Sequence, residues 1–412
     1  MDTMPQTVPR ETDLAKLRPW RDKAVVKVIT GARRCGKSTL LAMWADQLRA
    51  EGVPADRVLS FNLEDMSLVE SLPNPADLHA RLLAALPPEG RSYLFIDEVQ
   101  LADSFEQVLN SVLLHREVDV YVTGSNAQML SSELATRLSG RYVEIHLLPL
   151  SFAQFADGRR EFAQSDEDLS YPGLYASYLR HGGFPFIQQL IDTPDAARDY
   201  LSGIANTVLV KDVAVRQKVA NVALLSDVAA YLMQNTGNLT SLRRVANAAD
   251  SRGRLPSATT VDSYIQGLVD AFLVYPVRRW DLRGLRFLAG PEKYYAVDTG
   301  LRNAMVGYAG GDSGHLLETV VFLELKRRYG DVRVGMSPDG EVDFVVAQGA
   351  DRTYYQVALT VRDPETLMRE LTPLLQIRDH HPKVLLTLDA EPPITHDGVR
   401  QLYVLDWLRQ SP

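Results

Sequence analysis

Short apolar runs punctuate the first 150 residues, and each hands over to a stretch with helical spacing. Ala24–Thr30 (AVVKVIT), Arg57–Asn62 (RVLSFN), Ser92–Asp97 (SYLFID), Val118–Gly124 (VDVYVTG) and Tyr142–Leu147 (YVEIHL) read as strands. Their alternation with helical patterns predicts βαβ units on a parallel sheet. From Ser151 to about Tyr200 the pattern turns helical, broken at Tyr171-Pro172-Gly173 and at His181–Pro185 (HGGFP). Helices continue from Ser202 to Asp281 and close in the apolar, strand-like Phe272–Val277. The last stretch mixes both periods. It predicts helices over His315–Tyr329 and Pro364–Ile377, with strands at Val342–Val346, Tyr354–Thr360, Lys383–Leu388 and Gln401–Leu405.

The first strand runs directly into Gly31-Ala32-Arg33-Arg34-Cys35-Gly36-Lys37-Ser38-Thr39 and then an apolar helix. That strand–loop–helix setting is what a phosphate-binding loop requires. Its glycines let the backbone curl so that N–H groups face a β-phosphate. Lys37 then places a cation between the β- and γ-phosphates, and the Ser38 hydroxyl ligates Mg²⁺. The strand Tyr93–Ile96 delivers Asp97 and Glu98 at its C-terminal end, where ligands bind in open α/β sheets. Asp97 is expected in the Mg²⁺ shell, and Glu98 is expected to polarise the attacking water as general base. An acidic pair after a strand is often only a turn. At this interval behind such a loop, it reads as catalytic.

Composition narrows the setting. At 412 residues the chain is long enough for two to four domains. The polar, proline-containing MDTMPQTVPRET start has no hydrophobic signal region, and no apolar run approaches the roughly 18 residues that span a bilayer. A lone cysteine, Cys35, leaves no internal disulfide and no cysteine-based zinc site. The expected location is the cytoplasm, with no membrane partner. The net charge of −8 gives no global argument for nucleic acid. Yet between Arg243 and Lys293 nine basic residues face five acidic ones, which points to a localised anionic partner or a solvated face.

With these residues in hand, the chain resembles a bacterial and archaeal family of AAA-type ATPases that carry a C-terminal domain long labelled as of unknown function. VITGARRCGKSTLL, FIDEVQ, VTGSNAQML, ELATRLSGRYVEIHLLPLSF, GGFP, VDFVV, YYQVALTV and PKVLLTLD carry the likeness, almost end to end. The resemblance implies an α/β P-loop NTPase core of the AAA type (1–150), a helical lid (151–201), a winged helix (202–290) and an α+β restriction-endonuclease-like domain of the PD-(D/E)xK type (291–412). It implies ATP and Mg²⁺ as cofactors. After the strand ending at Gly124, either Ser125 or Asn126 is implied as the γ-phosphate sensor, although Ser125 could simply cap the next helix. In related signal-transducing NTPases a GG-x-P turn of the lid packs its proline on adenine, and Gly182, Gly183 and Pro185 match that turn. Arg137 and Arg141 fall where such enzymes carry an arginine finger for the neighbouring subunit; Arg141, just before the next strand, is favoured. A homo-oligomer follows, expected to be a hexameric ring.

The middle segment has helix-turn-helix spacing: a capped helix over Ser241–Ala248, a basic linker (Arg252-Gly253-Arg254) and a second helix over Ala258–Ala271. Phe272–Val277 and the region around Arg278–Phe287 are expected to form the wing. Arg254, Arg278, Arg279, Arg283 and Arg286 are the candidates for DNA phosphates, while the exposed face of the second helix is not basic, which argues against base readout. In the final domain the resemblance maps the nuclease acids to Glu318, Asp343 and Gln356 and the lysine to Ala358. An amide and a methyl group cannot replace a carboxylate and a lysine, so cleavage is not expected. An active nuclease would need a lysine near Asp343, and none is apparent in the sequence. The expected function is a DNA-associated AAA-type motor or switch. The alternative is a signalling or defence ATPase whose C-terminal modules bind a protein partner.

Overall fold

The computed structural model describes residues 7–68, 74–115, 117–126, 138, 140–162, 168–249, 256–337 and 340–410. The chain forms two compact units, one running to Leu147 and including Asp270–Phe272, the other formed by Leu148–Val269 and Leu273 onward.

In the first unit five strands, β1 (Val26–Thr30), β2 (Val58–Asn62), β3 (Ser92–Asp97), β4 (Val118–Gly124) and β5 (Tyr142–His146), form one parallel sheet in the order β2-β3-β4-β1-β5. β1, β3 and β4 are buried along almost their whole length, as parallel strands covered on both faces must be. One apolar cluster joins Val26, Val28, Leu94, Ile96, Val120 and Val122 of the sheet to Leu78, Leu82, Leu109 and Val112 of helices Pro75–Ala85 and Phe105–His115. A lysine in the apolar strand β1 is tolerated because Lys27 is ion-paired with the buried Asp119 of adjacent β4, and also donates to the Lys23 carbonyl at 2.8 Å. Tyr121 gives Asp119 a further hydrogen bond at 2.9 Å, so neither buried charge is left unsatisfied.

The second unit begins with helices Phe152–Phe162, Tyr171–His181 and Pro194–Thr207, and the last continues as a π-helical segment, Val208–Val215. Three helices follow, Val222–Gln234, Leu242–Ala248 and Ala258–Asp270, with the two-residue strand β6 (Leu239–Thr240) between the first and second. Ser241 caps the second helix, its hydroxyl accepting from the Arg244 N–H at 3.3 Å. Strands β7 (Val274–Val277) and β10 (Glu292–Ala296) pair antiparallel, and β6 adds to the other edge of β10. The hairpin expected from Phe272–Val277 and Arg278–Phe287 is therefore built differently. β7 pairs with β10, while the chain between them forms a separate hairpin, β8 (Arg279–Asp281) and β9 (Arg286–Phe287). β8 pairs with β11 (Val332–Ser337), which draws this hairpin into an eight-stranded mixed sheet. Its order is β15-β16-β14-β13-β12-β11-β8-β9, with β12 (Gly340–Gln348), β13 (Asp351–Ala358), β14 (Lys383–Thr387), β15 (Ile394–His396) and β16 (Val399–Tyr403). Helix Pro364–Leu375 covers it through Leu371 and Leu374, which cluster with Val342, Val345, Tyr354, Leu385 and Val399. Among the described residues no helix is long and apolar enough to cross a membrane.

Candidate functional site

The register of β1, β4 and β3 brings three sequence motifs to one edge of the first sheet. Thr30 pairs with Gly124 across β1 and β4, and Ile96 pairs with Val122 across β3 and β4. The loop after β1, the tetrapeptide Thr123–Asn126 and the acidic pair Asp97-Glu98 therefore lie side by side at the C-terminal strand ends.

Each motif has a local reason for its shape. Gly31 has φ +149°, and a Cβ there would lie 2.2 Å from the Leu147 carbonyl oxygen, so only glycine fits. Gly36, at φ +104°, turns the chain into helix Lys37–Ala50. Between them the Cys35 thiol is buried, donates weakly to the Leu147 carbonyl at 3.5 Å, and has its pKa pushed up by that burial. This makes Cys35 a packing residue rather than a nucleophile. The buried Lys37 ammonium donates to the Gly31 and Ala32 carbonyls, each at 3.0 Å. Arg34 and Ser38 are exposed at the loop's mouth, and Arg33 and Thr39 are half-buried.

Across the edge, Thr123 was not singled out from sequence, yet it joins the two acids. Its hydroxyl donates to Asp97 and accepts from the Glu98 N–H at 2.9 Å. Glu98 sits at φ +54°, a left-handed conformation that is costly for a glutamate and lifts its carboxylate off the strand. That carboxylate accepts from the Gln100 amide and approaches the Ser125 hydroxyl at 3.5 Å. Ser125 and Asn126 are both buried at the end of β4. The residue pattern VTGSN was the available signal: a threonine two places before the sensor candidates falls in register with Asp97.

A cation on a loop rich in N–H groups, with two carboxylates at the end of β3 one strand away across β4, suits a nucleoside triphosphate with its divalent ion. An uncharacterized protein of Haemophilus influenzae is 35% identical to this chain over 405 residues, covering 98% of this chain and 99% of its own. The chain belongs to the same family. Residues 23–156 match a family model described as an AAA domain, and residues 173–311 match one described as a domain of unknown function. An uncharacterized protein of Methanocaldococcus jannaschii is 27% identical over 310 residues, 74% of this chain and 67% of its own. In fold, the Walker-type ATPase PABY2304 of Pyrococcus abyssi superposes with a TM-score of 0.51 at 13% identity, over 74% of this chain and 99% of its own. The first unit is thus an AAA-type P-loop domain.

In this AAA-type domain Arg141 is exposed and lies at the other end of the sheet. Its carbonyl accepts from the Val26 N–H at 2.9 Å, and Tyr142 pairs with Val26. Four strand residues, about 13 Å, separate that point from the phosphate loop. Arg137 and Arg254 lie outside the described residues.

The Gly182-Gly183-Phe184-Pro185 turn belongs to the second unit. Helix Tyr171–His181 ends at Gly182 (φ +77°), where a Cβ would meet the Asp298 carboxylate at 2.1 Å, and one on Gly183 would meet the Leu150 carbonyl at 2.4 Å. Asp298 accepts from the Gly183 N–H at 2.6 Å and from the Leu301 N–H at 2.8 Å, capping helix Thr299–Val306. Burial pushes its carboxyl up to about 6, against the pull of these backbone donors. Thr299 and Asn303 of the same helix donate to the Tyr178, Leu179 and Arg180 carbonyls, and Pro185 starts a short 3₁₀ turn beyond.

The basic residues expected to face DNA are largely engaged within the fold. The Arg278 guanidinium stacks 3.9 Å over Phe287, Arg279 donates to the Ala289 carbonyl at 2.7 Å, and Arg286 lies 3.7 Å from Asp281. Arg283 caps the hairpin tip and is exposed.

The final-domain acids do come together, with a partner that sequence reasoning missed. Glu318 lies on helix Ser313–Tyr329, Asp343 on β12 and Gln356 on β13, where the Gln356 amide oxygen accepts from the Asp343 N–H at 3.3 Å. The expectation that no lysine lies near Asp343 is corrected. The buried Lys293 of β10 contacts Glu318 at 2.9 Å and Glu341 at 2.7 Å, and it acts electrostatically on Asp343. Tyr295 donates to Glu318 at 2.6 Å. Burial works against the Lys293 ammonium, but Glu318, Asp343 and Glu341 outweigh it and hold its pKa above the ordinary lysine value. Burial and the nearby Glu318 push the Asp343 carboxyl up. Lys293 escaped notice because it lies 25 residues before Glu318, on a strand of a different sheet, whereas the motif lysine is sought two residues after the second acid.

Proposed function

We propose that the chain is a Mg²⁺-dependent ATPase that couples ATP turnover to work on DNA. The observation that carries the first half is the meeting of Lys37, Thr123 and the Asp97-Glu98 pair at one edge of the AAA-type sheet. Lys37 turns from the Gly31 and Ala32 carbonyls toward the β- and γ-phosphates. Ser38 and Asp97 would hold Mg²⁺, which when bound neutralises charge on the β- and γ-oxygens. Arg33, Arg34 and Thr39 line the loop, and Asn126 or Ser125 reads the γ-phosphate. Glu98 accepts a proton from the attacking water once the Gln100 amide releases it.

Arg141, just before β5 and at the far end of the sheet from its own loop, is taken as an arginine finger for a neighbouring copy in an oligomer, most simply a hexameric ring. The helix–strand–helix–helix order with the β6-β10-β7 sheet supports a winged helix. The Glu318, Asp343 and Gln356 arrangement supports a nuclease-like last domain, and Gln356 supports its being inactive, because an amide stands where a second carboxylate would hold a metal even with Lys293 close by.

One experiment tests both halves. ATP turnover is measured on the full chain with single-stranded, duplex and branched DNA, and also on Arg141→Ala mixed with Lys37→Ala. Several-fold stimulation by at least one DNA is expected, together with recovery of activity in the mixture, where intact loops meet intact fingers. No response to any DNA would shift the reading to a partner protein; no rescue between subunits shown to exchange would remove the trans finger.

A further inference from the structure

Three of the wing arginines have partners at the surface: Arg278 stacks on Phe287, Arg279 donates to the Ala289 carbonyl and Arg286 lies near Asp281. Elsewhere in the second unit a cavity of about 600 Å³ collects arginines from three separate places. Arg283 comes from the tip of the β8–β9 hairpin, Arg352 from the start of β13 and Arg378 from the segment after helix Pro364–Leu375. Among the described residues neither Arg352 nor Arg378 has a carboxylate within ion-pair distance. Among the described residues the lining holds one acid, Asp379, whose oxygens accept from the Tyr354 phenol and from the His381 N–H at 3.1 Å. In a chain of net charge −8, three arginines around one described carboxylate are a local excess of positive charge.

The cavity is also held in shape. The hairpin tip is tied to the sheet by the Leu282 N–H to the Met336 carbonyl at 3.0 Å, and its turn closes through Leu285 to Asp281 at 2.8 Å. Leu285, at φ +50° and 46% exposed, projects an apolar side chain at the rim beside Arg283. Guanidinium groups suit phosphate oxygens bidentately, and an apolar rim suits a sugar or base face. A volume of this size takes one or two nucleotide units.

We propose that this cavity binds the phosphodiester backbone of DNA, with Arg283, Arg352 and Arg378 on successive phosphates. The site rests on the DNA reading above, and extends the contact from Arg283 of the hairpin to Arg352 and Arg378. It is insensitive to base sequence and steeply dependent on salt.

The test is fluorescence anisotropy of a labelled 20-nucleotide single strand and its duplex with the full-length chain, across a salt series. Arg283→Gln, Arg352→Gln and Arg378→Gln together should weaken binding by at least about tenfold at 0.15 M salt. The slope of log K against log salt should fall by about two. The corresponding triple lysine variant keeps the charges and should retain most of the affinity and slope, which separates lost contacts from lost structure. A glutamine variant that binds like the wild type overturns the site while leaving the DNA reading intact. A wild type that binds no DNA even at 0.05 M salt overturns both. A free nucleotide is the other source of the same chemistry. In the Lys37→Ala background AMP should not displace the labelled DNA below the millimolar range, and displacement at micromolar AMP would reassign the cavity to a free nucleotide and overturn the proposal.

Discussion

Replacing Lys37 by alanine is expected to remove ATP binding. The ammonium is the buried cation of the loop, its partners are two carbonyls of that loop, and the exposed Arg34 sits outside the curl. Charge-assisted hydrogen bonds are worth about 1.5–3 kcal/mol each, so losing bonds to two phosphates weakens binding by about 10²–10⁴-fold. The loop should keep its shape, because Gly31 and Gly36 set it through backbone conformation rather than through the lysine. Equilibrium dialysis with labelled ATP and Mg²⁺ reads the effect directly. Binding within tenfold of the wild type would mean that another group bridges the phosphates.

Lys293→Met is expected to have the largest effect on stability. Its side chain is 6% exposed and its ammonium touches both Glu318 and Glu341. Removing one partner of a buried ion cluster costs about 3–5 kcal/mol, because the remaining charges lose their counterion. The dependence on pH carries the signature. In the wild type the lysine pKa is raised, so its contribution is complete below the unfolded lysine value and is lost only as pH rises through the higher folded one. Without the lysine, the three carboxyls repel and their folded pKa values rise, so the folded state binds more protons than the unfolded chain. Stability of the variant should then fall more steeply than that of the wild type as pH rises from about 5 to 8, the wild type already carrying the raised Asp298 and Asp343 carboxyls. Urea denaturation across that range checks it, and a loss under about 1 kcal/mol that is independent of pH would contradict the network.

The parallel sheet was legible because its signals are local. Ser92–Asp97 and Val118–Gly124 are buried on both faces and read as continuous apolar runs, and the structure has those same bounds. The loop after β1 was legible because its glycines answer to backbone geometry that no other residue meets. What escaped depends on partners distant in sequence. β8 and β9 are three and two residues long, too short to show a period, and exist because β11 offers β8 an edge and β9 pairs with β8 in turn. β11 itself was missed; its run VRVGMS is interrupted by a glycine packed against Val342 and Val345. Lys293 and Thr123 carry no motif of their own. Their importance comes from register and sheet pairing, which put Lys293 against Glu318 and Thr123 against Asp97. The partners of the wing arginines were illegible for a related reason, since the aromatic and carbonyl groups beside Arg278 and Arg279 are invisible in a count of charges.

The central claim is that one edge of the AAA-type sheet hydrolyses ATP with Glu98 as base. It is tested most directly by measuring ATP binding and phosphate release on the same preparation of Glu98→Gln. The substitution keeps size and hydrogen bonding but cannot take a proton. The account predicts ATP affinity within a few-fold of the wild type and turnover reduced by about 10²–10⁴-fold, the range a general base contributes. Near-native phosphate release from that variant, or loss of binding together with turnover, would contradict it.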